Sequence, residues 1–220
     1  IISVPLSGNY LNRLHAHKIT ELAKKAASVV MGSGAGRRKE TLSLISSLVS
    51  RIDIPCVIDA DALYAIPIDP DTLKNSFVIT PHPGEFSMLS GEMPPNDTNK
   101  RSSVVRSLGR RLGCTVLLKG HVDVISNGKT TVLNRTGTPF MTKGGTGDIL
   151  AGVCGALLAM GLPPIDAASC AAYINGIAGE IASNIHGPGT LASDVLEHIP
   201  AAIINSIKQV ARNAVDISVD

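Results

Sequence analysis

Short apolar runs alternate with stretches of helical periodicity through the first half of the chain. Ser28-Val29-Val30-Met31 reads as a buried strand that ends in the turn Gly32-Ser33-Gly34-Ala35-Gly36. From Arg37 to Val49, Leu42, Ile45, Leu48 and Val49 recur at helical spacing. Ile54 to Ile58 predicts a second strand, ending in Asp59-Ala60-Asp61, and Phe77-Val78-Ile79 a third, ending in Thr80-Pro81-His82-Pro83-Gly84-Glu85. A short helix is expected over Glu85 to Leu89. After the break Pro94-Pro95-Asn96-Asp97, a longer one is expected over Thr98 to Leu112, with Val104, Val105 and Leu108 facing inward. Thr115 to Leu118 predicts a fourth strand, ending in Lys119-Gly120.

The second half changes character. Val122 to Ser126 and Thr130 to Leu133 flank Asn127-Gly128, a hairpin signal. Three helices are expected to follow. One begins near Thr146, with Leu150, Val153, Cys154, Leu157 and Leu158 as its inward stripe. The others run from about Pro164 to Ile185, rich in Ala and Gly, and from about Ala192 to Ala211. Alternation of strand and helix implies an α/β fold with a mainly parallel sheet covered on both faces. The chain reads as one domain, 1–220, without an internal repeat or a low-complexity linker.

Composition narrows the function classes. With 44% hydrophobic and 17% charged residues, the 220-residue chain can bury a sizeable core. A formal charge of +2 without a basic run argues against nucleic acid as the main partner, and with no Trp, 3 Phe and 3 Tyr there are few stacking platforms for single strands. Cys56, Cys114, Cys154 and Cys170 form no CxxC pair and sit in apolar contexts, so buried reduced thiols are expected. No apolar run approaches the roughly 20 residues needed to span a bilayer, and the N-terminus lacks a basic-then-apolar leader pattern. These features lead to the expectation of a soluble cytoplasmic protein.

The polar residues gather in a telling way. Each apolar strand ends in a polar or glycine-rich cluster, and in open parallel sheets ligands bind beyond the carboxyl ends of the strands. Gly32–Gly36, Asp59–Asp61, Thr80–Glu85 and Lys119–Gly120 are therefore expected to meet at one edge. The sharpest feature is Gly144-Gly145-Thr146-Gly147-Asp148. Glycines there let the backbone approach a phosphate, and a helix beginning there points free N–H groups at it. The helix dipole alone favours a nearby anion by roughly 0.3–1 kcal/mol. Asp148 falls in the first turn, placed to take a proton from an attacking hydroxyl. The segment is not a Walker A loop, because the GxxxxGK[ST] spacing is absent.

Lys119 ends a buried strand, where an ammonium needs an anionic partner, either a nucleotide phosphate or a carboxylate. His82 between two prolines is a candidate hydrogen-bonding group, and Glu85 a candidate ligand to a metal-bound water. Asp59 and Asp61 either order the site and a magnesium–water network or cap the next helix. His15, His17, His186 and His198 show no zinc-ligand spacing and are expected in solvent.

Together these segments resemble the ADP-dependent NAD(P)H-hydrate dehydratases, a branch of the ribokinase-like superfamily. The resemblance rests on Met31–Arg37, Val57–Leu63 (VIDADAL), Ile79–Phe86 (ITPHPGEF), Leu117–Gly120 and, above all, Asn134–Gly152, in the family's order. Two features depart from the family pattern. Ser33 stands where a proline is usual, and Ile1–Ala27 does not supply the family's glycine- and alanine-rich N-terminal segment. Either the chain lacks that segment or the pocket is completed differently.

The resemblance implies repair of hydrated NADH or NADPH. ADP, or ATP in eukaryotic relatives, with Mg2+ would phosphorylate the ring hydroxyl, and phosphate would then be eliminated. It implies Asp148 as base, with Gly145 and Gly147 offering N–H groups to the transferring phosphate. Lys119, Gly120, His121, Val122, Asp123 and Gly147 would bind the nucleotide. Gly36, His82 and Asp148 would touch the substrate, and Glu85 would help place magnesium. A homo-oligomer and an NAD(P)H-hydrate epimerase partner, either separate or fused, go with the same reading. The alternatives are a kinase for a hydroxymethylpyrimidine, thiazole or sugar alcohol, and a non-catalytic nucleotide-binding module.

Overall fold

A computed structural model describes residues 2–66 and 73–216, with 208–216 described as backbone only. Six strands lie among the described residues: β1 (Val29–Met31), β2 (Cys56–Ile58), β3 (Phe77–Ile79), β4 (Thr115–Leu118), β5 (Asp123–Ser126) and β6 (Thr131–Asn134). They form one sheet in sequence order. The first four are parallel, and β5 and β6 join antiparallel as the expected hairpin. Its turn closes with Asn127 N–H donating to Thr130 O at 3.3 Å. The helices are α1 (Ala16–Ala23), α2 (Lys39–Arg51), α3 (Pro83–Ser90), α4 (Thr98–Leu112), α5 (Thr146–Ala159), α6 (Pro164–His186) and α7 (Ala192–Asp216).

Strand side chains alternate between two separate cores, as the two-residue period requires. Cys56, Ile58, Phe77, Ile79, Val116 and Leu118 point to one face, where they meet Leu44, Leu48, Phe86, Val105, Leu108 and Leu112 of α2, α3 and α4. Val57, Val78, Leu117 and Ile125 point to the other, against Leu150, Cys154 and Leu158 of α5 and Ala168, Ala171 and Ala172 of α6. Strands buried on both faces read as continuous apolar runs, and β2, β3 and β4 are buried throughout. Each fully buried Leu, Ile or Phe contributes about 1.5–3 kcal/mol. Small residues on α6 let the last helices pack closely: Ala178 and Ala182 meet Val195 and Ala202 of α7.

Sequential order has a consequence for the site. Parallel strands in sequential order put α2 to α4 against one face, and the order of the described strands nowhere reverses. What the parallel strands share is a row of carboxyl ends. The helix α5 starts at that row and runs away from it, and α6 returns towards it.

Two expectations need correction. His15 is buried, 5% exposed. Its Nδ1 accepts from Asn12 N–H at 3.0 Å and its Nε2 lies 2.8 Å from Ser7 O, so it locks the turn into α1 instead of facing water. Cys170 is exposed, on the outer side of α6, whereas Cys56, Cys114 and Cys154 are buried free thiols as expected. Among the described residues, no helix is long and apolar enough to cross a membrane.

Candidate active site

Main-chain bonds lock the strand ends into a ledge. Asp59 N–H donates to Met31 O at 3.0 Å, Thr80 N–H to Ile58 O at 3.2 Å, and Lys119 N–H to Pro81 O at 2.9 Å. On that ledge the side chains converge. Asp59, 1% exposed, accepts at one oxygen, Oδ1, from Thr80 Oγ1 at 2.7 Å and from Lys119 Nζ at 2.9 Å. Of the two partners that Lys119 could take, the structure supplies the carboxylate.

The backbone around Asp59 is tightly determined. Gly32, at φ +129°, packs so closely that an added Cβ would stand 1.7 Å from Asp59 O. Ala60 takes φ +47°, alone among the described non-glycine residues in the left-handed region. Such a conformation costs about 1–3 kcal/mol and persists where the surroundings hold it. Next to it, Asp61 ties down the glycine turn: Gly36 N–H donates to Oδ2 at 3.0 Å and Arg37 Nε to Oδ1 at 2.6 Å. That bond raises the Arg37 pKa from its ordinary value. Asp61 therefore orders the turn that carries Gly36, and Asp59 does not cap the following 3-10 turn with its side chain.

The start of α5 lies beside Lys119. A Cβ added to Gly147 would sit 3.5 Å from Lys119 Nζ. Gly145 occupies the N-cap position at φ +98°, and α5 has no side-chain cap. α1, α2 and α6 likewise lack a side-chain cap, whereas α3 and α4 are capped by His82 and Asp97. The loop before α5 is braced from outside: Lys143 Nζ donates to Pro188 O at 2.7 Å and Thr190 O at 2.6 Å, and Thr146 Oγ1 to Met141 O at 2.9 Å. Asp148 is exposed in the first turn of α5, and no described residue bonds its side chain.

The Lys119–Asp123 loop closes on itself. Asp123 Oδ1 accepts from Gly120 N–H at 2.9 Å, and Oδ2 from Asn134 Nδ2 at 2.9 Å. Burial pushes the Asp123 carboxyl above its ordinary value, against the bonds from Asn134 and Gly120 and the charges of Arg101 and Lys119. Arg101 of α4 donates to Lys119 O at 3.0 Å, and desolvation lowers its pKa. His121 is exposed and Val122 half-buried in this loop.

His82 and Glu85 are spent on a capping box. Glu85 N–H donates to His82 Nδ1 at 3.1 Å, and His82 N–H to Glu85 Oε2 at 2.8 Å. The other oxygen, Oε1, lies 3.3 Å from His82 Nε2, and Glu85 is 3% exposed. Both oxygens are thus engaged. The imidazole remains half-exposed at the ledge. Beyond Gly36, a cleft of about 430 Å3 is lined by residues 6–11, His15, Gly34, Ala35, Gly36 and Arg38. Lys119, Gly147 and Asp148 do not line it.

Lys119, Gly147, Asp59 and Thr80 therefore come together, and Gly36 joins them through Asp61 and the strand ends. Arg101, Asn134 and Lys143 are supporting residues that the sequence reading passed over. Arg101 had a signal, since it extends the buried stripe Val105, Leu108 and Leu112 back by one turn.

A family model for NAD(P)H-hydrate dehydratase matches residues 4–201. A bifunctional NAD(P)H-hydrate repair enzyme of Pyrobaculum aerophilum is 42% identical over 205 residues, which is 92% of this chain and 40% of that protein. The chain thus spans about two fifths of the length of that relative. It spans 71% of an ADP-dependent (S)-NAD(P)H-hydrate dehydratase of Cenarchaeum symbiosum, to which it is 40% identical over 206 residues, 92% of this chain. An ADP/ATP-dependent NAD(P)H-hydrate dehydratase of Bacillus subtilis, co-crystallised with ATP and Mg2+, superimposes with a TM-score of 0.69 at 25% identity, covering 84% of this chain and 70% of that one. With the ledge, the uncapped helix and these likenesses in hand, the chain belongs to the NAD(P)H-hydrate dehydratase family, on a ribokinase-like fold.

Proposed function

We propose that this chain dehydrates hydrated NADH or NADPH at the expense of ADP, returning the reduced cofactor. The observation that carries the reading is the corner between Lys119 and α5. An ammonium and a helix N-terminus, both electropositive, stand side by side with the first turn uncapped. An anion with several acceptor oxygens, such as a phosphoryl group, satisfies both. Asp148, one residue beyond Gly147, is exposed in the first turn of α5 without a side-chain partner among the described residues, and it is assigned the proton of the attacking hydroxyl.

The chemistry balances at those atoms. The ring hydroxyl of the hydrate attacks the terminal phosphorus of ADP while Asp148 accepts the hydroxyl proton, and AMP leaves. The ring nitrogen's lone pair then expels phosphate, a far better leaving group than hydroxide. Loss of a proton from the adjacent carbon restores the double bond. Phosphoryl transfer needs mostly positioning and charge stabilisation, which Gly145 and Gly147 N–H groups and Lys119 supply. The loop Gly120, His121, Val122 and Asp123 is assigned to the nucleotide, and Gly36 and His82 to the nicotinamide side.

Magnesium fits this corner only as a companion of the nucleotide. No described cluster of three or more His, Cys, Asp or Glu forms a cage, and Mg2+ is commonly held by substrate phosphates with few protein ligands. Glu85, buried and committed to the α3 cap, does not fit as a direct ligand. The bifunctional name of the Pyrobaculum relative supports an epimerase as the companion activity. Exposed Leu196, Ile203 and Ile207 along α7 support self-association, which sedimentation checks.

The test uses hydrated NADH, ADP, Mg2+ and the protein. Recovery of reduced-nicotinamide absorbance is expected, and Asp148→Asn should lower turnover by about 10²–10⁴-fold while ADP affinity stays near normal. Turnover only with a thiazole, pyrimidine or sugar alcohol overturns the reading in favour of a kinase. Nucleotide binding without turnover of any of these indicates a non-catalytic module.

A further inference from the structure

We propose that Asp59 and Thr80 are positioning residues that hold the Lys119 ammonium in place beside α5, so that the anion-binding corner exists before any ligand arrives. The inference rests on the reading that this corner takes the phosphate of a nucleoside diphosphate, and goes beyond it by saying what sets the lysine's position.

A lysine side chain is long and flexible, with three donor hydrogens and no intrinsic direction. Here its position is fixed from below. Asp59 Oδ1 takes one hydrogen at 2.9 Å and the hydroxyl of Thr80 at 2.7 Å. The carboxylate is 2% exposed and Lys119 is 23% exposed, so the anchor is dry while the ammonium keeps an open side. That side borders Gly147. Two donor hydrogens remain for a ligand.

Asp59 is itself held more firmly than a simple ion pair requires. Its N–H is bonded to Met31 O, its carbonyl lies against Gly32, and the next residue, Ala60, is in the left-handed region. Strain confined to one residue is the usual mark of a group whose placement matters. Ordering the lysine in advance removes part of the entropy that a ligand otherwise has to supply on binding.

The alternative is that Asp59 is merely a nearby negative charge, and the two cases differ in sign. A bare charge repels phosphate, so removing it should tighten ADP binding. A positioning carboxylate orders the lysine, so removing it should weaken ADP binding.

The test is ADP affinity by calorimetry on the folded chain, which needs no turnover. Lys119→Ala is expected to weaken binding about 10–100-fold, as loss of a charge-assisted contact does. Asp59→Asn is expected to weaken it about 5–50-fold. The double variant should be within about threefold of Lys119→Ala alone, because residues that act through one another are not additive. Thr80→Val should weaken binding and Thr80→Ser should restore it, which decides the matter if Asp59→Asn does not fold. Tighter or unchanged ADP binding in Asp59→Asn overturns the proposal. So do effects that multiply in the double variant, and so does a wild-type protein that binds no ADP. Coupled ADP affinities without turnover of hydrated NADH leave the proposal standing and remove the dehydratase reading instead.

Discussion

Replacing Gly32 by alanine is expected to damage both the fold and the site, and the size of the effect follows from two distances. The new Cβ would stand 1.7 Å from Asp59 O and 2.9 Å from the Ala62 Cβ, with φ at +129°. The nearest atom is backbone, so no rotamer change relieves the overlap; β1 or β2 must move. Conformational strain of about 1–3 kcal/mol and overpacking of about 1–3 kcal/mol together give roughly 2–6 kcal/mol. For a chain of this size, each kcal/mol lowers Tm by about 2–4 °C, so a drop of roughly 4–24 °C is expected. Gly34→Ala is the control. Its φ is +68° and its Cβ meets nothing within 4 Å, so only the left-handed penalty of about 1–2 kcal/mol applies. Thermal unfolding of both variants by calorimetry, with ADP affinity alongside, reads the difference. Equal losses for the two substitutions would refute the close approach of β1 to Asp59, and with it the reason for Asp59's fixed position.

Other expectations are independent of that contact. Burial pushes the thiols of Cys56, Cys114 and Cys154 up to about 12, so native protein at mildly alkaline pH should label only at Cys170, and all four should label after denaturation. Mass spectrometry of the labelled peptides checks it. Asp123 has a native pKa raised from the ordinary 3.8. Above 3.8 the native state therefore binds more protons at this site than the unfolded chain does. Its contribution to stability is fully present below 3.8, is lost as pH rises through the native value, and changes no further above it. Denaturant melts of wild type and Asp123→Asn across the acid range should show this slope only in the wild type. Asp97 accepts from Lys100 N–H at 2.9 Å as the N-cap of α4, so Asp97→Ala should cost about 0.5–2 kcal/mol with ADP affinity unchanged.

Where periodicity carried the information, the sequence told the truth closely. The helix expected over Thr98 to Leu112 is α4 to the residue, because its caps are local: Asp97 in front and Gly113 behind. All four parallel strands and the hairpin stand where apolar runs placed them. The convergence of the four polar strand ends followed from the architecture alone. Pairwise contacts were less legible. That Lys119 meets Asp59, 60 residues away in sequence, depends on the β2–β3–β4 register, which no local pattern encodes. The capping box of His82 and Glu85, with bonds at 2.8 Å and 3.1 Å, was not read from the sequence either, because a histidine and a glutamate three residues apart carry no local signal that separates a cap from other roles. His15 was misread because its burial depends on Ser7 and Asn12 folding over it, a turn with no apolar period.

The account stands on the corner between Lys119 and Gly147 with Asp148 proposed as the base, and hydrated NADH turnover by wild type and Asp148→Asn under identical ADP and Mg2+ tests it most directly. The expected result is recovery of NADH absorbance by the wild type, with one AMP and one phosphate released per NADH, and a loss of about 10²-fold or more in the variant at near-normal ADP affinity. Wild-type rates in Asp148→Asn, or NADH recovery without AMP formation, would contradict it.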